Sequence, residues 1–218
     1  MSIKLKGSTA GSVALDAPAN TSPSGSDISF TLPIADGSSG QVLTTNGSGA
    51  FSFADKGTIL QIQQTHLTTT SSQSLSSNTL AEVSGLSVSI TPKLSTSDML
   101  VFVRWCGEPS TTNSYNIIFG LRRDSTDIGN PSASGSRPTG HATLSQNYWS
   151  NDATSTPDNC SFSFLDTGRS SGTSQITYKA TVKSSAAQTL FNQRTGNNLD
   201  SDDYELPTSN IIVMEVAA

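Results

Sequence analysis

The chain has 218 residues, of which 33% are hydrophobic and 13% charged, and its net charge is -5. Charged residues usually make up about a quarter of a soluble domain; here Ser, Thr, Asn and Gly replace them, which favours turns and half-exposed strands over helices. The acidic balance and scattered Lys and Arg exclude a nucleic-acid surface, and the small net charge beside clear apolar strand patterns excludes a disordered chain.

In chain order, Ser12–Leu15 is the first strand candidate and stops before Pro18. Asp27–Leu32 is the next, with Ile28, Phe30 and Leu32 on one face at period two; Pro33 then blocks the ladder. A turn over Asp36–Gly40 leads to a strand over Gln41–Thr44. Asn46-Gly47 suits a type I′ hairpin turn, and Phe51 and Phe53 alternate on the returning strand. The segment 1–55 holds too few apolar residues for a core of its own. Ile28, Phe30, Leu32, Val42, Leu43, Phe51 and Phe53 are therefore expected to pack on another protein or on other copies of the chain.

From residue 56 to 218 the pattern becomes that of a second, globular domain. Strands are expected over Thr58–Gln63, within Thr79–Thr91, over Met99–Trp105 as a central strand, and over Tyr115–Arg122. Further strands follow over Cys160–Leu165, Gln175–Val182, Thr189–Phe191 and Asn210–Val216. About eight strands separated by turn signals form the pattern of an antiparallel sandwich or jelly roll. Ser184–Gln188 fits at most one helical turn. The stretch Asp124–Ser155 lacks strand character and is expected to form an exposed loop at one end of the head. Trp105 lies in the most apolar strand and is expected in the core.

Chemistry is sparse. His66, His141, Cys106 and Cys160 show no zinc spacing, and the two cysteines are expected as buried free thiols. The acidic run Asp200–Glu205 lacks the Asp-x-Asp-x-Asp-Gly calcium loop and reads as solvated. No nucleophile elbow or P-loop is present, so no enzyme activity, metal or cofactor is expected. Tyr148, Trp149, Asn151 and Asp152 place aromatic faces beside amide and carboxylate groups, the pattern of a glycan contact; packing of the loop onto the sandwich is the competing role. No run reaches the roughly 18 apolar residues of a membrane helix, and Met1–Leu15 lacks the apolar stretch of a signal peptide.

Residues 28 to 53 carry a resemblance. The pattern is a strand ending in Leu32-Pro33, a turn, Gly40-Gln41-Val42-Leu43, and a Gly-rich hairpin closing on Phe51. It resembles a module of tail-fibre and other virion proteins of bacteriophages, notably marine and cyanobacterial ones. Many members close the hairpin on Trp, where Phe51 and Phe53 stand here. The C-terminal segments Phe119–Asp124, Tyr178–Val182 and Asn210–Glu215 resemble the jelly-roll-like heads of such proteins, which are often trimers. The resemblance implies a homotrimeric virion appendage, made in the host cytoplasm and carried on the particle exterior. Segment 1–55 would attach to other virion proteins, and the head 56–218 would meet a host-surface glycan or protein. A capsid decoration or head-fibre protein without receptor binding is the alternative, and a secreted lectin without a virus is a third.

Overall fold

The computed structural model describes residues 3–6, 12–15, 27–55, 59–110, 116–144, 155–170 and 172–217. The chain divides into two compact units, Met1–Lys56 and Gly57–Ala218. Among the described residues there is no helix.

The first unit holds two antiparallel pairs. β1 (Ile3–Lys6) pairs with β2 (Ser12–Leu15), and β3 (Gln41–Thr45) pairs with β4 (Phe51–Asp55). Residues 46–50 close the second pair, so the hairpin turn expected over Asn46–Gly49 forms there, as a five-residue loop in place of a type I′ turn. The reason lies in the Asn46 side chain, whose Oδ1 accepts from the Ser48 and Ala50 amides and stabilises the wider loop. The expected strand over Asp27–Leu32 does not form. Only Thr31 bridges, to Ala50, with the Thr31 amide donating to Gly49 O and the Phe51 amide to Thr31 O. One bridge uses the local edge of β4 and leaves no ladder for Ile28 or Phe30 to extend.

The second unit is an antiparallel β-sandwich. Sheet one has the order β10 (Thr126–Ile128), β9 (Ile117–Arg123), β13 (Ile176–Ser184), β7 (Leu80–Ile90), with β11 (Ala142–Thr143) also on β9. In sheet two, β8 (Asp98–Pro109) is central. One edge of β8 pairs with β12 (Asp158–Asp166). The other pairs first with β15 (Ser209–Val216) and then, at Gly107–Pro109, with β14 (Gln188–Asn192). β5 (Ile59–Leu67) extends the sheet beyond β15, and β6 (Ser71–Leu75) beyond β14. The long strands β7, β8, β9, β12, β13 and β15 alternate between the sheets, the connectivity of a jelly roll. The stretch Asp124–Ser155 is thus not all loop: β10 and β11 hydrogen-bond along the edge of β9. Residues 185–187 make a bend between β13 and β14 in place of a helical turn.

Period-two alternation builds the core. Met99, Val101, Val103 and Trp105 on β8, with Ile211 and Val213 on β15, face Val88 and Ile90 on β7, Phe119 and Leu121 on β9, and Tyr178, Ala180 and Val182 on β13. Trp105 meets Phe119 at 5.0 Å between ring centroids. Its indole N–H donates to Asn192 Oδ1 at 2.7 Å, which satisfies the one polar atom of a fully buried side chain. Cys106 and Cys160 are both buried and free. Burial pushes the Cys160 thiol up to about 12, so it stays protonated and unreactive at neutral pH.

β14 reaches β8 only because residue 107 has no side chain. A Cβ there would sit 2.1 Å from Phe191 O and 2.7 Å from Trp105 Cζ2. Gly107→Ala is expected to push β14 away and cost about 1–3 kcal/mol. A denaturant midpoint equal to that of the wild type would show that the strand yields freely.

Candidate functional site

Several ionisable groups are built into the scaffold. Glu215, inward on β15, is fully buried and accepts four hydrogen bonds: from Ser97 Oγ, the Lys93 and Leu94 amides, and Gln61 Nε2. Arg169 ties the same loop to the segment after β12 by donating to the carbonyls of Leu94, Ser97 and Gly172. Asp166, at the end of β12, takes both oxygens to Arg123 Nη1 at 2.8 Å and one to the Tyr178 hydroxyl at 2.7 Å. Burial, and then the Asp166 hydrogen bond, push the Tyr178 hydroxyl far above its ordinary pKa. These groups tie strands and loops together, and their polar atoms point at one another.

The expected site residues separate into two groups. Tyr148, Trp149, Asn151 and Asp152 lie outside the described residues. The seven apolar residues of the N-terminal segment are described, and most are uncovered in the single chain. Phe30 is 62% exposed and Leu32 70%, with Ile28, Val42, Leu43 and Phe53 also exposed. Phe51 is half-buried against Phe30, ring centroids 5.1 Å apart. Ile34, absent from the sequence expectation, is fully exposed as well.

Sheet two carries a comparable surface on its outer side. Its outward positions form rows across four strands. One row is Ile62, Met214, Leu100 and Leu165; the next is Gln64, Ile212, Phe102 and Ser163. Ile59 and Val216 continue it at one end. Ile59, Ile62, Phe102 and Leu165 are exposed, and Leu100, Ile212, Met214 and Val216 half-buried. Toward the other end, Arg104 turns its guanidinium to Thr208, and the loop after β14 covers Cys106 and Glu108 through Gln193 and Gly196. A strand apolar on both faces, such as β8, is the sequence signal of this surface, because a solvated outer face would alternate.

Sheet one differs. Its outer face carries a charge ladder in which Lys179 and Arg122 both reach Glu82, and Arg122 also reaches Asp127 at 2.8 Å. The Lys179 ammonium, foremost, holds the exposed Glu82 carboxyl below its ordinary pKa. Beside the ladder lies a cleft of about 160 Å³ lined by Leu80, Asp127, Asn130, Arg137, Pro138, Thr139, Thr181 and Lys183. Glycine inside the apolar run of β9 is the signal of such a place, since Gly in a strand often marks a close approach.

Of the two histidines, His66 is exposed on β5. His141 stacks on Phe162 and meets Phe164 edge-on, and its Nε2 lies 2.9 Å from Ile128 O. Among the described residues, no three His, Cys, Asp or Glu side chains converge as a metal site would need. Ser201 Oγ lies near Asp203 in the acidic loop, which is a turn. No helix is long and apolar enough to cross a membrane among the described residues.

The fold and these surfaces define an antiparallel β-sandwich with jelly-roll connectivity, one apolar outer face and one charged one. No protein-family model matches the chain, and no curated protein matches it in sequence.

Proposed function

We propose that this chain is a structural protein of a bacteriophage virion, a trimeric fibre or knob-like appendage without catalytic activity. Its N-terminal unit attaches to the particle, and its sandwich head faces the host surface. The observation that carries this reading is the apolar surface left uncovered twice in one chain. The N-terminal unit leaves Ile28, Phe30, Leu32 and Ile34 in solvent, and the head leaves the outer face of sheet two. Other copies of the chain are the one partner present in equal number wherever the chain is made, and they cover both surfaces in one step. A charge-poor core of aliphatic and aromatic side chains is the composition of homo-oligomer interfaces. The resemblance of residues 28 to 53 to virion modules supplies the particle.

Light scattering on the full chain is expected to return three times the chain mass. Phe102→Asp, which places a charge in the middle of the sheet-two face, is expected to return a folded lower oligomer. A folded wild-type monomer, or a charged variant that still trimerises through this head, sinks the interface. Absence of the chain from purified particles of the phage that encodes it sinks the virion reading.

A further inference from the structure

We infer that the cleft on the outer face of sheet one is a subsite for a single carboxylated sugar residue of a host-surface polysaccharide. This deepens the proposed function and rests on it for the source of the sugar.

The site is made by the sheet and by one loop. β9 carries Gly120 between its apolar neighbours, opposite Thr181 on β13. A Cβ at Gly120 would lie 2.8 Å from Thr181 Oγ1 and 3.8 Å from both Asn130 Oδ1 and Gly140 Cα. The close approach of the loop between β10 and β11 to the sheet falls at Gly140, where a Cβ would lie 2.6 Å from Phe119 O and 2.7 Å from Ile118 Cγ1. Leu80 and Lys183 are opposite each other on β7 and β13, and Asn130, Arg137, Pro138 and Thr139 come from the loop.

The charges decide what fits. Asp127 is paired with Arg122, and Glu82 with Arg122 and Lys179. Arg137 and Lys183 have no ion-pair partner among the described residues, yet both line the same cleft. Two cations without an ion-pair partner among the described residues thus line one cleft, in a chain whose net charge is -5. An Arg fork matches a planar carboxylate, and a Lys beside it adds a point charge. Around them, Asn130, Thr139 and Thr181 offer an amide and two hydroxyls for sugar hydroxyls, and Leu80 and Pro138 offer apolar faces for C–H groups. The volume is about five times a water's share of liquid, and below the roughly 300 Å³ of a drug-sized pocket. That suits one sugar residue, not a chain. Two cations at one small cleft also lack the extended stripe that nucleic acid needs.

The test titrates the full-length assembled protein with glucuronic, galacturonic and N-acetylneuraminic acids, with glucose, and with inorganic phosphate, by calorimetry and saturation-transfer NMR. At least one sugar acid is expected to bind at millimolar concentration, and glucose about tenfold more weakly or not at all. Arg137→Gln and Lys183→Gln are each expected to weaken the sugar acid about tenfold or more, and added salt to weaken it further. Arg137 is exposed on the loop, so its variant tests the site even if the strand residue Lys183 proves necessary for folding. The inference is overturned if no sugar acid binds, if glucose binds as well as its acid, or if Arg137→Gln leaves binding unchanged. Phosphate binding as tightly as every sugar acid also overturns it, because the ring then contributes nothing. The failures are separable from that of the proposed function. A trimer found on particles that binds no sugar acid loses only the subsite; a chain that binds sugar acid but is absent from particles loses only the virion reading.

Discussion

Asp166→Ala is expected to destabilise the protein by about 3 kcal/mol, toward the lower end of what breaking a buried ion pair costs. Asp166 lies on sheet two, whereas Arg123 and Tyr178 sit opposite each other on β9 and β13 of sheet one. One carboxylate therefore bolts the two layers together. Its removal strands the Tyr178 hydroxyl, which is fully buried, and leaves Arg123 without its counter-ion. Arg123 still reaches water with a fifth of its side chain, which limits the loss. For a chain of this length the melting temperature is expected to fall by roughly 6–12 °C. Tyr178→Phe removes the same hydrogen bond without orphaning a donor, and is expected to cost much less. If the alanine variant melts with the wild type, the bolt adds nothing to stability.

Glu215 is expected to set much of the acid limit of the fold. Burial pushes its carboxyl upward, but the hydrogen bonds from Ser97, the Leu94 amide, Gln61 and the Lys93 amide outweigh it, and the folded-state pKa lies below the ordinary 4.5. The folded state therefore prefers the ionised form. The stabilisation is fully present above the unfolded-state pKa and is lost as the pH falls through the folded-state value. Denaturation from about pH 7 to about pH 3 should show stability falling once the pH drops below the unfolded-state pKa. Glu82 is also held low, but it is exposed and its share is screened. Glu215→Gln provides the comparison. An amide has one acceptor oxygen, while donors face both oxygens here, so its NH₂ must meet a donor. A cost on the order of 3 kcal/mol is expected at neutral pH, with a shallower acid limb. An acid limb as steep as the wild type's would assign the transition to other carboxylates.

The apolar runs were the legible part of the sequence. β8 and β15 stand out as such runs in the residue order itself, β8 with the expectation of a central strand, and the structure gives them the middle of sheet two. β6 could not be read the same way. Ser71–Leu75 has one apolar residue, and its place comes from the backbone ladder to β14, which side-chain pattern does not report. Asp27–Leu32 had the pattern of a strand, but it meets its neighbour at the single bridge Thr31–Ala50 and forms no ladder there. Trp105, in the most apolar run, lies in the core as its context implies. The cleft was beyond reach from the sequence because Leu80, Asp127, Arg137 and Lys183 meet only when β7, β10 and β13 enter one sheet. Glu215 left a small trace, a carboxylate at an inward position beside the apolar run Ile211–Met214.

The position of β15 shapes how the sandwich comes together. It lies between β5 and β8, so the second unit's first strand is joined to its central strand only through its last one. Gln61 and Glu215, which bond across that seam, are 154 positions apart in the chain. Contacts of such sequence separation carry a high loop-closure cost before any reward, and they slow folding. Until β15 docks, one edge of the apolar β8 stays open, able to pair with the same strand of a neighbouring chain. Crowding of nascent copies, which the proposed trimer would need, is thus also the condition under which strands are most easily exchanged between them.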